Sequence, residues 1–364
     1  MFDATDLIRR HVSTIESYQP IQPFDVLSQR LGQPSDAIIK LDANENPYGP
    51  VTAVLEALAC LPYPHIYPDP ESIALRQALQ AYTGLPSENI LVGAGADELI
   101  DLIMRLFLEP GDAVLNCPPT FGMYAFDANV NAARVVNVPR FQDFSLTLQA
   151  LEQAVEKYHP KLLFLSSPNN PDGSLIPPEV LDHILALPLI VVLDEAYVEF
   201  ADQGSSRLQE APERSNLIVL RTFSKWAGLA GLRVGYGAFP SSLMPHLWKI
   251  KQPYNVSVAA TAAALASLQH VTVLKENCYR IVAERQRLYN GLQAVPYLQP
   301  YPSQANFILC SVVGRDANEL KTTLAQSGIF VRYFNKPGLR DHIRISVGKP
   351  EHSDALLVAL AELE

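Results

Sequence analysis

Short, wholly apolar runs alternate with amphipathic helical stretches between residues 90 and 238, and this constrains the fold more than any other feature. The candidate strands are residues 90–92, 113–116, 134–138, 162–166, 189–193, 217–221 and 234–238. A strand with one wet face would alternate apolar and polar residues. Runs such as Leu162-Leu163-Phe164-Leu165 do not, so they predict a sheet covered by helices on both faces. The expected class is α/β, with a mostly parallel sheet between helices. At 364 residues the chain exceeds one ordinary domain, which predicts a large domain and a smaller companion. The texture changes after Val258. An Ala-rich helix is expected over 259–268 and a charged one over 271–293, followed by a strand, helix, strand pattern at 306–312, 320–324 and 343–347. The predicted division is a helical-looking amino-terminal arm with part of the small domain (1–42), a large domain (43–270) and a small α+β domain (271–364).

Charge and cysteine usage remove several function classes. With 38 acidic against 28 basic residues the net charge is -10, and the basic residues do not cluster, so no nucleic-acid surface is expected. Cys60, Cys117, Cys278 and Cys310 are scattered without CxxC spacing, which argues against a zinc site or a disulfide framework. Residues 1–10 mix acids and bases without an apolar centre, so neither a signal peptide nor an anchor is expected. The longest apolar runs, such as 187–193, are too short to span a bilayer. A cytoplasmic setting with no membrane partner is the resulting expectation.

The chemistry concentrates at Thr222-Phe223-Ser224-Lys225-Trp226-Ala227-Gly228-Leu229-Ala230-Gly231-Leu232-Arg233. A lysine among apolar and small residues is disfavoured as an ammonium ion, and its free amine can form a Schiff base. Thr222 and Ser224 offer hydroxyls, and Arg233 offers a planar fork suited to a phosphate. Together they read as a cradle for an aldehyde phosphate, which points to pyridoxal phosphate.

Four further segments extend the constellation. Gly93-Ala94-Gly95-Ala96-Asp97-Glu98 follows a strand and opens a helix expected over 97–108, where free amide donors can hold a phosphate. The dinucleotide motif is the rival, but Glu98 stands where its third glycine would be. Phe121, just past the strand ending near Asn116, can stack on a flat cofactor. Asp194 ends an apolar strand, where a carboxylate is costly unless a cation such as a protonated pyridine nitrogen faces it. Asn170 and Tyr197 can hydrogen-bond the phenolic oxygen of such a ring.

In this order the motifs resemble those of the fold-type I pyridoxal-phosphate aminotransferases, and more narrowly the class that includes histidinol-phosphate aminotransferase. The likeness runs from Asn44-Glu45-Asn46-Pro47 through Tyr67-Pro68-Asp69, Asn169-Asn170-Pro171 and Asp194-Glu195-Ala196-Tyr197 to Ile343-Arg344-Ile345. It implies that Lys225 carries the cofactor. It also implies that Ala96, Asp97, Thr222, Ser224 and Arg233 hold the phosphate, and that Asn170, Asp194, Tyr197 and Phe121 surround the ring. Tyr67 would reach the phosphate of a neighbouring subunit's cofactor, implying a homodimer with shared active sites. On the substrate side the resemblance implies Tyr18, Asn46, Arg332 and Arg344, two guanidinium forks serving a carboxylate or a phosphate. The implied reaction is transamination between histidinol phosphate and 2-oxoglutarate, or imidazole-acetol phosphate and glutamate. An aromatic amino-acid aminotransferase and a threonine-phosphate decarboxylase share the cofactor motifs and remain open. Two residues depart from the family pattern: Asp172 replaces a usual threonine and Phe121 a usual tyrosine.

Overall fold

A computed structural model describes residues 2–17 and 21–363. Its strands are β1 (Ile39–Leu41), β2 (Ile90–Gly93), β3 (Ala113–Asn116), β4 (Arg134–Asn137), β5 (Leu162–Ser166), β6 (Ile190–Asp194), β7 (Leu217–Thr222), β8 (Gly235–Ala238), β9 (Leu298–Pro300), β10 (Phe307–Val312), β11 (Ile329–Tyr333) and β12 (His342–Ser346). The large sheet has seven strands in the order β2-β8-β7-β6-β5-β3-β4. Only β8 runs antiparallel to its neighbours. Each predicted strand between 90 and 238 is present, shifted at its ends by a residue or so.

The continuous apolar runs have the expected physical cause. Leu163, Leu165, Val191, Leu193, Leu217 and Val219 pack into one core. Leu162, Phe164, Val192, Ile218 and Leu220, which alternate with them, pack into a second core on the opposite face. Successive strand residues point to opposite faces, so both faces of β5, β6 and β7 are dry. The helix Ala96–Phe107 covers the second core with Leu99, Ile100, Leu102, Ile103 and Met104.

The chain passes from β3 to the edge strand β4 and then returns to β5 on the other side of β3. This reversal opens a crevice at the carboxyl ends of β3 and β5, the place where ligands bind in open α/β sheets.

A five-stranded sheet, β1-β11-β12-β10-β9, forms the second lobe. Strand β1 pairs in parallel with β11, so the amino-terminal segment belongs to this sheet. The expected helical arm is more broken than the sequence reading held. Two short 3-10 turns precede a single helix, Phe24–Leu31, and residues 39–41 are strand. Pro23 sits at that helix's start and Gly32 ends it in the left-handed conformation, while Pro34 blocks any continuation. The helix Val271–Gln293 gives Leu274, Cys278 and Ile281 to the large core and Leu288 and Leu292 to the small one. The proposed boundary at residue 270 therefore separates lobes that share an element. Among the described residues no single helix is long and apolar enough to cross a membrane.

Candidate active site

At the carboxyl ends of the central strands lies a cleft lined by Ala96, Asp97, Phe121, Ser166, Asn170, Asp194, Ala196, Tyr197, Thr222, Ser224, Lys225, Ala230 and Arg233. Ten of those residues were singled out from sequence, and they reach the cleft from the ends of β6 and β7 and from the segments after β2, β3, β5, β6 and β7.

Lys225 follows β7 and its Nζ donates to the backbone oxygen of Ala43 at 3.2 Å. Burial, with Arg344 as the next contributor, lowers the amine's pKa to about 8. A side chain that would otherwise titrate near 10.4 thus has a sizeable free-base fraction close to neutrality.

Asp194 ends β6, is 4% exposed and accepts a hydrogen bond from the Tyr124 hydroxyl at 2.7 Å. Burial raises its pKa to about 6, opposed by the bonds from Tyr124 and the Ala196 amide. Tyr197 accepts from Asn44 Nδ2 at 3.1 Å and from Asn170 Nδ2 at 3.4 Å. Both contacts enter its oxygen, which leaves its proton to donate into the cleft.

Thr222 Oγ1 donates to Ser224 Oγ at 2.9 Å, and Arg233 Nη1 donates to the same Ser224 oxygen at 3.3 Å. Arg233 holds a left-handed backbone, φ 50°, an uncommon conformation for a residue with a side chain. Its guanidinium meets Asp97 at 2.7 Å. Two glycines keep this corner open. A Cβ on Gly95 would lie 2.5 Å from Arg233 Nη2, and one on Gly235 would lie 2.7 Å from the Ala96 amide nitrogen. The helix start at Ala96, two hydroxyls and a guanidinium therefore converge around a backbone pocket without side chains. That donor set fits a phosphate, and Lys225 and Asp194 fit the aldehyde and ring nitrogen of pyridoxal phosphate.

The substrate-side residues are placed less uniformly. Arg344 is buried; its Nη1 donates to Asn170 Oδ1 at 2.6 Å and its Nη2 to the Asp42 backbone oxygen at 2.9 Å. Arg332 is its direct partner across β11 and β12, so the two share a face of the small sheet, and both lie within 5.6 Å of the Phe334 ring. Asn46 does not line the cleft. Its amide donates to the Trp226 backbone oxygen at 2.9 Å and its carbonyl accepts from the Tyr48 amide at 3.0 Å. Tyr67 lies outside the cleft, 79% exposed and stacked on Tyr254 at 4.8 Å. Tyr18 lies outside the described residues. Asp172 is buried and accepts from Asn169 Nδ2 and from the Ser174 amide, which braces the turn carrying Asn170.

Sequence reasoning passed over Tyr124 and Asn44. Tyr124 stands three residues after Phe121 and packs edge-on against it at 5.5 Å. The signal for it was a helix-facing tyrosine beside the chosen phenylalanine.

Residues 36–360 match the family described as aminotransferase class I and II. The chain belongs to the class I and II aminotransferases. A histidinol-phosphate aminotransferase of Nicotiana tabacum, named as chloroplastic, is 57% identical over 97% of this chain and 86% of its own length. One from Roseiflexus castenholzii is 52% identical over 99% of this chain and 98% of its own. Among solved structures, histidinol-phosphate aminotransferase from Sinorhizobium meliloti, in complex with pyridoxal-5'-phosphate, superposes with a TM-score of 0.87 at 31% identity, covering 98% of both chains. For an aminotransferase the cleft has the required polarity: an amine of lowered pKa, a buried carboxylate and a phosphate cradle on three sides of one space.

Proposed function

We propose that this aminotransferase exchanges an amino group between histidinol phosphate and 2-oxoglutarate in histidine biosynthesis, where it converts imidazole-acetol phosphate at the expense of glutamate. The observation that carries this reading is identity above half, across nearly the whole chain, with histidinol-phosphate aminotransferases. The cleft is chemically consistent with it.

Pyridoxal phosphate, when bound, supplies an aromatic ring that accepts the electron pair left at the substrate's Cα. Arg233, Thr222, Ser224 and the amides at Ala96 and Asp97 bind the phosphate and fix the ring's position. Phe121 excludes water from one side. Asp194, as a carboxylate, would favour a proton on the ring nitrogen of the bound cofactor, and Tyr124 orients Asp194. Tyr197 donates to the phenolic oxygen, with Asn170 beside it. Lys225, as a free amine, would take up the proton from the substrate's Cα as general base and, in its ammonium form, would return a proton as general acid. Arg344 and Arg332 offer forks to the carboxylate of glutamate and to the phosphate of the second substrate. Tyr18 joins them in the proposal, whereas Asn46 acts through the backbone that follows Lys225.

The substrate is tested by comparing three amines on the cofactor-loaded protein. Histidinol phosphate is expected to exceed phenylalanine in kcat/KM by at least about tenfold, and threonine phosphate is expected to release no carbon dioxide. Faster turnover of phenylalanine would establish the aromatic reading, and carbon dioxide release the decarboxylase.

Lys225 also sets a pH dependence. Capture of pyridoxal phosphate by cofactor-free protein requires its free amine, whose proton is held with a pKa of about 8. The capture rate is expected to rise through pH 8 and level off above it in stopped-flow absorbance. A midpoint near 10.4, that of an ordinary lysine, would show that Lys225 is not the reacting amine.

A homodimer is the finer part of the proposal. The exposed pair Tyr67 and Tyr254, with Tyr63 and Ile66 exposed nearby in the chain, supports a covered face. Analytical ultracentrifugation is expected to give about twice the 40.1 kDa chain mass; a species at the chain mass would contradict it. A cytoplasmic location is likewise proposed, supported by the absence of any disulfide among the four cysteines, and cell fractionation tests it.

A further inference from the structure

Beneath the cleft, on the other side of the large sheet, lies a buried charged layer that the reaction described above does not use. Asp194 and Thr222 end neighbouring parallel strands and line the cleft. The residues covalently next to them, Glu195 and Arg221, do not line it. Glu195 is fully buried and Arg221 is 9% exposed. Glu195 Oε2 accepts from Arg221 Nε at 3.0 Å, from Arg221 Nη2 at 2.9 Å and from Ser206 Oγ at 2.7 Å, while Oε1 accepts from the Arg207 amide at 2.7 Å. Arg221 Nη2 also reaches Ser206 Oγ at 2.6 Å. The Glu195 amide donates to Leu220 O at 2.9 Å, continuing the ladder between the two strands past Asp194. Glu199 approaches Arg221 at 3.7 Å on its other side.

Stability alone does not account for charges here, because replacing a buried ion pair with well-packed apolar groups is often neutral or stabilising. A pair with this many directional bonds does something apolar packing does not: it fixes two strand ends relative to each other. We propose that Arg221 and Glu195 are positioning residues for the aminotransferase reaction, locking the carboxyl ends of β6 and β7 so that Asp194 is held in fixed relation to Thr222, Ser224 and Lys225. The pairing also has an electrostatic consequence. Burial is the main cause of the raised proton affinity of Asp194, to which the adjoining Glu195 charge adds, and Arg221 neutralises Glu195. Loss of Arg221 leaves a second buried anion beside Asp194 and disfavours the carboxylate form that a protonated ring nitrogen needs.

This inference rests on the cofactor site proposed above, and three variants test it: Arg221→Met, Glu195→Gln and the milder Ser206→Ala. Equilibrium dialysis is expected to show pyridoxal phosphate affinity falling roughly tenfold in the first two, the order of coupling inside such networks. The pH at which the bound cofactor's visible absorption titrates is expected to move with it. Kcat at saturating cofactor is expected to fall more than KM for glutamate changes. The double variant is expected to lose less than the product of the single losses. Ser206→Ala, which keeps both charges, is expected to shift the same quantities by a smaller factor, and it decides the matter if the other two do not fold. Wild-type affinity, spectral titration and kcat within twofold in the folded variants, with only the unfolding temperature lowered, would overturn the inference. Wild-type protein that binds no pyridoxal phosphate would instead overturn the site itself.

Discussion

Lys225→Ala is expected to lower kcat by on the order of 10⁴-fold, since it removes both the nucleophile that captures the cofactor and the general base that moves the Cα proton. Cofactor binding should fall much less. The cradle formed by Thr222, Ser224, Arg233 and the start of the Ala96–Phe107 helix does not depend on the lysine, so the variant should hold pyridoxal phosphate without a covalent bond. The fold should persist, because Lys225 makes one hydrogen bond, to Ala43 O, and its removal relieves a buried amine. Steady-state rates together with dialysis of the bound cofactor separate these effects. A variant retaining a tenth of the wild-type rate would show that proton transfer at Cα belongs to another residue.

Asp194→Asn is expected to produce the second largest loss. Breaking a buried charge pair costs about 3–5 kcal/mol, so removal of the ring's counter-ion should lower kcat by about 10²- to 10⁴-fold. In the absence of cofactor the same substitution should act in the opposite direction on stability. The folded pKa of Asp194 is raised to about 6, above the roughly 3.9 of an unfolded chain, so protonation favours the folded state. The penalty is absent below about pH 4, grows as pH rises to about 6, levels off above it, and amounts to on the order of 3 kcal/mol at neutrality. Cofactor-free Asp194→Asn should therefore melt at a higher temperature than wild type at pH 7.5, with the gain vanishing near pH 4. Thermal melts with and without pyridoxal phosphate check both signs. Equal stabilisation in the two states would mean that Asp194 faces no cation when the cofactor is bound.

The parts of the molecule that were legible in the sequence are those where burial writes a continuous signal. Strands β5, β6 and β7 are dry on both faces, and their unbroken apolar runs announced both the strands and the cleft at their carboxyl ends. The site residues near those ends were readable because a lysine and a carboxylate are costly there without a partner, and because Arg233 offers a fork suited to a phosphate. Where contact is made across long sequence separation, nothing local announced it. Strand β1 was read as part of a helical arm because its three residues become a strand only by pairing with β11, nearly three hundred residues away. Strand β11 was not among the expected strands, although Ile329-Phe330-Val331 carried an apolar signal. Asn44 and Tyr124 went unnoticed because their importance lies in hydrogen bonds to Tyr197 and Asp194, which spacing does not encode. Asn46 drew attention by its motif, yet its side chain serves backbone groups, the Trp226 oxygen and the Tyr48 amide.

The most direct test of the cleft as the cofactor site is chemical. Purified protein loaded with pyridoxal phosphate, reduced with borohydride to fix the bond between lysine and cofactor, and then digested and sequenced by mass spectrometry should carry the pyridoxyl group on Lys225 and on no other lysine. Modification at Lys40, Lys251 or another site with Lys225 unmodified would contradict the placement of the active site on which the function rests.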